Sequence, residues 1–189
     1  MASHPARKAL PQRVAAAILE GAARTLAADG AAASMSDVAA AAGVARATVY
    51  RYFPNRDALL DELALLALRE IDDRIASARL DEVSVHEGVS RVVRALVDVG
   101  DLFIVLARER ARPEEVDRTL SGPVSGLLER GRERGEIRDD LPVSWLTETL
   151  LGTVLSIMSS SPQRGREDTV AAITSLVLDG ATRRGPRLP

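Results

Sequence analysis

The chain predicts an all-α protein, and three observations carry that prediction. Of its 189 residues, 46% are hydrophobic and 28% charged, the balance of an ordinary globular chain. Aromatics make up only 3%, whereas Ala, Leu, Arg and Glu are plentiful, a mixture that favours helices over a sandwich of strands. Apolar residues then recur three and four positions apart along most of the length, with no strand-type alternation, internal repeat or low-complexity tract.

Residues 1–10 lack periodicity and read as a loose, basic arm. From Pro11, the residues Val14, Ile18, Ala22 and Leu26 recur at four-residue spacing as far as Asp29, and Gly30 supplies a stop. Pro11 suits the first turn of this helix, where its missing N–H is not needed. Ser34 with Asp37 three positions on matches a capping box for a short second helix, which Gly43 closes. A third short helix runs from about Arg46 to Tyr52. Pro54-Asn55 then punctuates, and Asn55 caps a fourth helix from Arg56 to about Arg79, about 36 Å long. Leu60, Leu63, Ala67 and Ile71 lie on one of its faces, while Leu59, Leu66 and Leu68 widen the apolar band. A stripe that broad suits a strut between an N-terminal unit and a larger body.

The body reads as helical too. Val89, Val92, Val93, Leu96 and Val97 keep the helical spacing, and Gly100-Asp101 breaks or bends the helix before Leu102, Phe103 and Leu106. Pro113 starts another helix, with Glu114 and Glu115 in the first turn where the dipole favours acids. It continues through Leu120, Val124, Leu127 and Leu128 to Gly135, with a kink expected at Pro123. After Asp139-Asp140 a helix carries Trp145, Leu150, Val154 and Met158, and a last one spans roughly Glu167 to Thr182. The division is residues 1–56 for the arm and a three-helix head, and 57–189 for the body.

Composition excludes several functions. There is no cysteine, so disulfides, thiolate metal sites and cysteine nucleophiles are absent. The two histidines, His4 and His86, are far apart in sequence, so neither a metal site nor a cofactor is expected, and His86 reads as a surface residue. No nucleophile–His–acid set, zinc-protease motif or phosphate loop supports an enzyme. Acidic pairs such as Glu114-Glu115 and Asp139-Asp140 are explained by helix starts. Apolar runs are broken by charge every few residues, and Arg7 and Lys8 are followed by no apolar leader segment, so the chain reads as cytoplasmic, with no membrane span. Net charge is −2, but residues 1–60 hold seven basic and four acidic groups, or +3, leaving −5 for the remainder. A basic head on an acidic body is compatible with docking on a polyanion.

The most specific feature is the stretch from Asp37 to Phe53, two short helices around a glycine turn followed by Tyr-x-Tyr-Phe. Ala39 and Ala42 are small enough for close approach, and Gly43 permits the turn. Val38, Val44, Val49 and Phe53 fall inward, leaving Arg46, Ala47, Thr48 and Arg51 outward on a helix that fits a major groove. Residues 13–63 resemble the TetR/AcrR family of bacterial transcriptional regulators, through the Gly30 turn, Val38-Ala39, Ala42-Gly43-Val44, Thr48-Val49-Tyr50, Tyr52-Phe53 and Leu59-Leu60. In the rest only helix lengths and the turn Gly135-Glu136-Ile137 are similar. The resemblance implies a DNA-binding head, a helical ligand-binding body and a two-fold dimer.

Carried onto this chain, the resemblance implies that Arg46, Ala47 and Thr48 lie over base edges, where Arg grips guanine, Thr bonds an edge and Ala touches a thymine methyl. Tyr50, Tyr52, Arg51 and Arg56 are expected on the recognition surface, with Tyr50, Tyr52 and Arg56 on phosphates, which set register and affinity. Ser34 and Ser36 either cap the second helix or present its N-terminus to a phosphate. Arg7 and Lys8 belong to a disordered terminus or to a minor-groove arm. One departure from the family pattern is Ala45, where a serine or threonine cap normally precedes the recognition helix; its absence costs about 1 kcal/mol. Taken singly, Tyr50 reads better as an edge-of-core aromatic and Arg51 or Arg56 as solvated charge; their joint register carries the argument.

The implied function is a repressor that binds a palindromic operator in double-stranded DNA as a homodimer and is released by a small hydrophobic effector. Leu96, Phe103, Leu106, Val124, Leu127 and Trp145 are the expected pocket, although Phe103 and Trp145 also read as core packing. Leu151, Val154, Leu155, Met158, Ile173, Leu176 and Val177 are the expected dimer face, or alternatively packing within one chain. A DNA-binding regulator controlled by a protein partner, or by no ligand, is the competing reading, with an all-α enzyme third.

Overall fold

The computed structural model describes residues 5–109, 111–160 and 165–182, with side chains from residue 11 onward. Helices α1 (Pro5–Asp29), α2 (Met35–Ala41) and α3 (Arg46–Tyr52) form a head, and α4 (Arg56–Ala78) leaves it for the body. The body comprises α5 (Val85–Val99), α6 (Asp101–Glu109), α7 (Pro113–Val116), α8 (Gly122–Glu133), α9 (Val143–Ser159) and α10 (Arg166–Ala181). The fold is all-α; among the described residues the only sheet-like pairing is a single bridge between Ile137 and Thr182.

Local chemistry explains most boundaries. Ser34 and Asp37 make both bonds of the capping box, Asn55 accepts from the Ala58 N–H at 2.8 Å, and Ser84 accepts from the Glu87 N–H at 3.3 Å. Gly43, Gly100 and Gly135 take positive φ at the turns ending α2, α5 and α8. Two expectations need correction. The first helix does not begin at Pro11 but at Pro5, and Pro11 lies inside it, exposed, so that only one backbone bond is forfeited. The side chains of Arg7 and Lys8 lie outside the described residues. The helix opened by Pro113 is also not simply kinked at Pro123: between α7 and α8 it widens into a π-turn, Asp117–Ser121. The Gly122 N–H reaches back five residues to the Asp117 carbonyl, and a Cβ on Gly122 would lie 2.9 Å from that oxygen. The wide turn therefore depends on glycine and absorbs the missing N–H of Pro123.

Two apolar clusters organise the packing. The head cluster joins Ile18, Ala22 and Leu26 of α1 to Val38, Val49 and Phe53, and it extends past residue 56 to Leu59 and Leu63 of α4. The body cluster takes the remainder of α4 (Ala64, Ala67, Leu68, Ile71 and Ile75) with α5, α8, α9 and α10. The strut reading of α4 is thus realised by one helix serving two cores. The short helix α6 does the same: Ile104 and Val105 are buried in the head cluster, Phe103 and Leu106 in the body cluster.

Glycines set the tightest approaches. Gly21 of α1 faces the backbone of α2, where a Cβ would meet the Ala42 nitrogen at 2.8 Å. Gly131 of α8 sits against Val85 and Ile137, with Ile137 Cγ1 2.8 Å from where a Cβ would stand. Val85 is β-branched and fully packed, so it has little room to yield. Gly131→Ala is therefore expected to lower the thermal midpoint. Overpacking costs about 1–3 kcal/mol, which outweighs the gain of about 1 kcal/mol from replacing a helical glycine. A midpoint at or above that of the parent would contradict this packing.

Candidate nucleic-acid interface

The candidate site is the outer face of α3. Val49 is fully buried beneath that helix and Phe53 is nearly so, which fixes its rotation. Arg46, Ala47 and Arg51 are consequently exposed, Thr48 is half-buried, and the Tyr50 ring is 37% exposed. Tyr52 is half-buried, between the exposed surface and the head core. The outward set expected from the sequence thus shares one face. Val44, expected inward, is half-buried against the same core.

Two cation–π contacts arrange this face. The Arg46 guanidinium lies 5.4 Å from the Tyr50 ring centre and donates to its hydroxyl at 3.3 Å, an i to i+4 pair along one helix. That hydrogen bond raises the guanidinium's pKa further, so Arg46 is always a cation. Arg51 lies 5.3 Å from the Tyr52 ring centre. Both long side chains therefore lie over rings instead of extending freely. Ala45 precedes α3 with extended backbone and offers no side-chain cap.

The remaining residues are placed differently. Ser34 commits its hydroxyl to the cap, accepting from the Asp37 N–H at 3.2 Å and donating to the Asp37 carboxylate at 2.6 Å. Hydrogen bonds from the Ser34 side chain and backbone hold the Asp37 carboxyl below the usual aspartate range. The sign follows: this contribution to α2 is complete above the ordinary carboxylate range and is lost as pH falls through the lowered value. Ser36 is exposed at the start of α2. Arg56 does not extend into solvent; its guanidinium is 3.4 Å from the Gly30 carbonyl and 3.4 Å from the Glu109 carboxylate. Sequence spacing gave no sign of that partner, 53 residues away.

In the body, a cavity of about 440 Å³ lies between α6, the π-turn and α9, lined by Phe103, Leu106, Ala107, Val116, Leu120, Leu151 and Leu155, with Asp117 and Ser121 among its polar edges. Of the residues expected to form a pocket, Phe103 and Leu106 line it. Leu96, Val124 and Leu127 are instead sealed in the body core. Trp145 is 60% exposed on the outer side of α9 and does not line the cavity. A larger groove, about 620 Å³, runs between α1 and the α5–α6 corner, over Leu19, Ala23, Leu66 and Leu102.

The expected dimer face also divides. Val154, Ile173 and Val177 are buried in the monomer's own core, Leu151 and Leu155 line the cavity, and Met158 is half-buried where the two clusters meet. Only Leu176, 61% exposed, points outward as expected. The outer surface of α9 and α10 carries Trp145, Thr149, Gly152, Ile157 and Leu176 instead. Among the described residues no helix is long and apolar enough to cross a membrane, and no group of three or more His, Asp or Glu residues could hold a metal ion.

Comparison with known proteins places this geometry. Residues 18–63 match the family model for bacterial regulatory proteins of the tetR family. The HTH-type transcriptional repressor LfrR of Mycolicibacterium smegmatis is 39% identical over 102 residues, which span 52% of this chain and about half (51%) of LfrR. The fatty acid metabolism regulator protein of Bacillus subtilis is 23% identical over 157 residues, 77% of this chain and 81% of its own. In three dimensions, LfrR from Mycobacterium smegmatis in complex with proflavine superposes with a TM-score of 0.70 at 27% identity, covering 92% of this chain and 98% of that one. The ketosteroid transcriptional regulator KstR2 of Mycobacterium tuberculosis shares the fold, with a TM-score of 0.72 at 20% identity over 90% of this chain and 95% of that one. Residues 18–63 thus form a helix-turn-helix head similar to that of bacterial regulatory proteins of the tetR family, and the all-α body behind it shares the fold of LfrR.

Proposed function

We propose that the chain is a repressor that binds a palindromic operator as a homodimer and releases it when a small apolar molecule enters the body. The observation that carries this reading is the face of α3, where Arg46, Ala47, Thr48 and Tyr50 are turned outward by the burial of Val49 and Phe53. Arg46, Ala47 and Thr48 read base edges, while Tyr50, Tyr52, Arg51, Arg56 and Ser36 meet the backbone. A seven-residue helix reads few base pairs, so two copies are needed for useful affinity. The outer surface of α9 and α10, with Trp145 and Leu176 exposed, is the face for the second copy.

The cavity beside α6 is the effector site. Its walls are apolar except for groups such as Asp117 and Ser121. No basic side chain among the described residues pairs with Asp117, so the site favours a compact apolar cation over its neutral counterpart. The complex of LfrR with proflavine supports that choice. An occupant presses on Phe103 and Leu106, and α6 passes the displacement to the head through Ile104 and Val105. A coupling of ~3 kcal/mol between the two sites weakens DNA binding about 150-fold.

Two experiments test this. Against duplexes selected from a random pool, Thr48→Ala should alter the preferred sequence, whereas Tyr50→Phe should weaken binding to all sequences alike by about 1 kcal/mol. Equal losses on selected and random duplexes for Thr48→Ala would remove it from base reading. For the cavity, proflavine should raise the melting temperature of the protein and lower its affinity for the selected duplex. Asp117→Asn should weaken proflavine binding by several-fold and leave binding of a neutral polycyclic such as anthracene unchanged. Parallel loss of both ligands would contradict the role given to the carboxylate.

A further inference from the structure

Arg56 stands at the first position of α4, where DNA-backbone contact is proposed, yet in the free chain it is engaged elsewhere. Its guanidinium donates to the Gly30 carbonyl and to Glu109 Oε1, both at 3.4 Å. Next to Glu109, the Arg108 guanidinium donates to the Ala27 carbonyl at 2.6 Å. Ala27 lies in the last turn of α1, where helix carbonyls lack intrahelical partners and the dipole is negative, and Gly30 follows in a tight turn whose carbonyl also accepts the Ala33 N–H at 3.2 Å, so two cations there are readily explained. Glu109 is not. It is the last residue of α6, an end that disfavours a carboxylate, and its one ion-pair partner among the described residues is Arg56. The pair is a single long contact, with side chains 33% and 29% exposed, and uses little of the guanidinium's fork of donors. A phosphate, able to accept two parallel N–H bonds, would displace it.

We propose that Glu109 is an intramolecular stand-in for a DNA phosphate. It holds Arg56 off the duplex, and Arg56 transfers to the backbone only when the C-terminal end of α6 lets go. DNA affinity is then set partly by the position of α6, whose other end lines the body cavity through Phe103 and Leu106. This inference rests on the proposal that the head binds DNA.

The test compares the full chain with Glu109→Gln, Arg56→Gln and the double variant on selected and random duplexes over a series of NaCl concentrations. Melting temperatures are recorded for each protein. Glu109→Gln should bind both duplexes about two- to fivefold more tightly, the range of an exposed ion pair, and its affinity should fall more steeply with salt. Arg56→Gln should abolish that gain. Glu109→Asp, which withdraws the carboxylate by one methylene, should shift affinity in the same direction as Glu109→Gln. A folded Glu109→Gln variant that binds no better than the parent would overturn the proposal. So would a gain that persists without Arg56, because it would then reflect only the removal of a negative charge near DNA. If the parent chain binds no duplex at low salt, the DNA-binding reading itself fails and this inference falls with it.

Discussion

The architecture depends on one constraint: α6, nine residues long, is buried on opposite sides by two different cores. Ile104 and Val105 are as much part of the head as Ile18 or Val49, and Phe103 and Leu106 are as much part of the body as Leu96. A close-packed interior does not deform smoothly, so a displacement of this helix on one side must be answered on the other. The helix is also pinned at its ends. Gly100, with positive φ, separates it from α5, and Arg108 and Glu109 tie its last turn to α1 and α4. Those ties are long-range hydrogen bonds between elements, so they report the relative position of head and body.

The body around α6 is joined by close glycine contacts and by ion pairs between helices. Gly88 and Gly131 let α8 lie close against α5, and the Arg94–Glu167 and Arg166–Asp98 ion pairs fasten α10 to the other side of α5. Arg138 closes the far end, with its N–H on the Ala181 carbonyl at 2.9 Å and its guanidinium on the Gly180 carbonyl at 3.0 Å. The cavity lies where this regularity fails, between α6 and the π-turn that Gly122 and Pro123 require. The opposite side of that turn packs towards α4, beside Ile75 and Ala76. Two segments thus adjoin both the cavity and the helix that carries the head.

What the sequence disclosed and what it withheld follow from the range of the interactions. Caps and turns are local, so Ser34, Asp37, Gly43, Asn55 and Gly100 could be read directly, and the recognition face followed from Val49 and Phe53 being apolar at the right register. The π-turn was not legible, because Gly122-Pro123 also fits a simple kink. The start of α1 was missed because a proline inside a helix and a proline beginning one look alike. The pocket and dimer residues were only partly legible for a different reason. Helices α9 and α10 are apolar on more than one side, and periodicity cannot say which stripe faces the chain's own core; Val154 and Ile173 turned inward and Trp145 outward. Arg56 was recognisable as a cation near the head, but Glu109 was joined to it only by folding.

The most direct test of the coupling through α6 needs no ligand. Ala107 lies on α6, half-buried at the cavity wall. Ala107→Phe places a ring in that space, and its affinity for the selected duplex can be measured beside its melting temperature. The account predicts a variant that remains folded and binds DNA about tenfold more weakly, ~1.4 kcal/mol of coupling. A folded variant with undiminished affinity would contradict it.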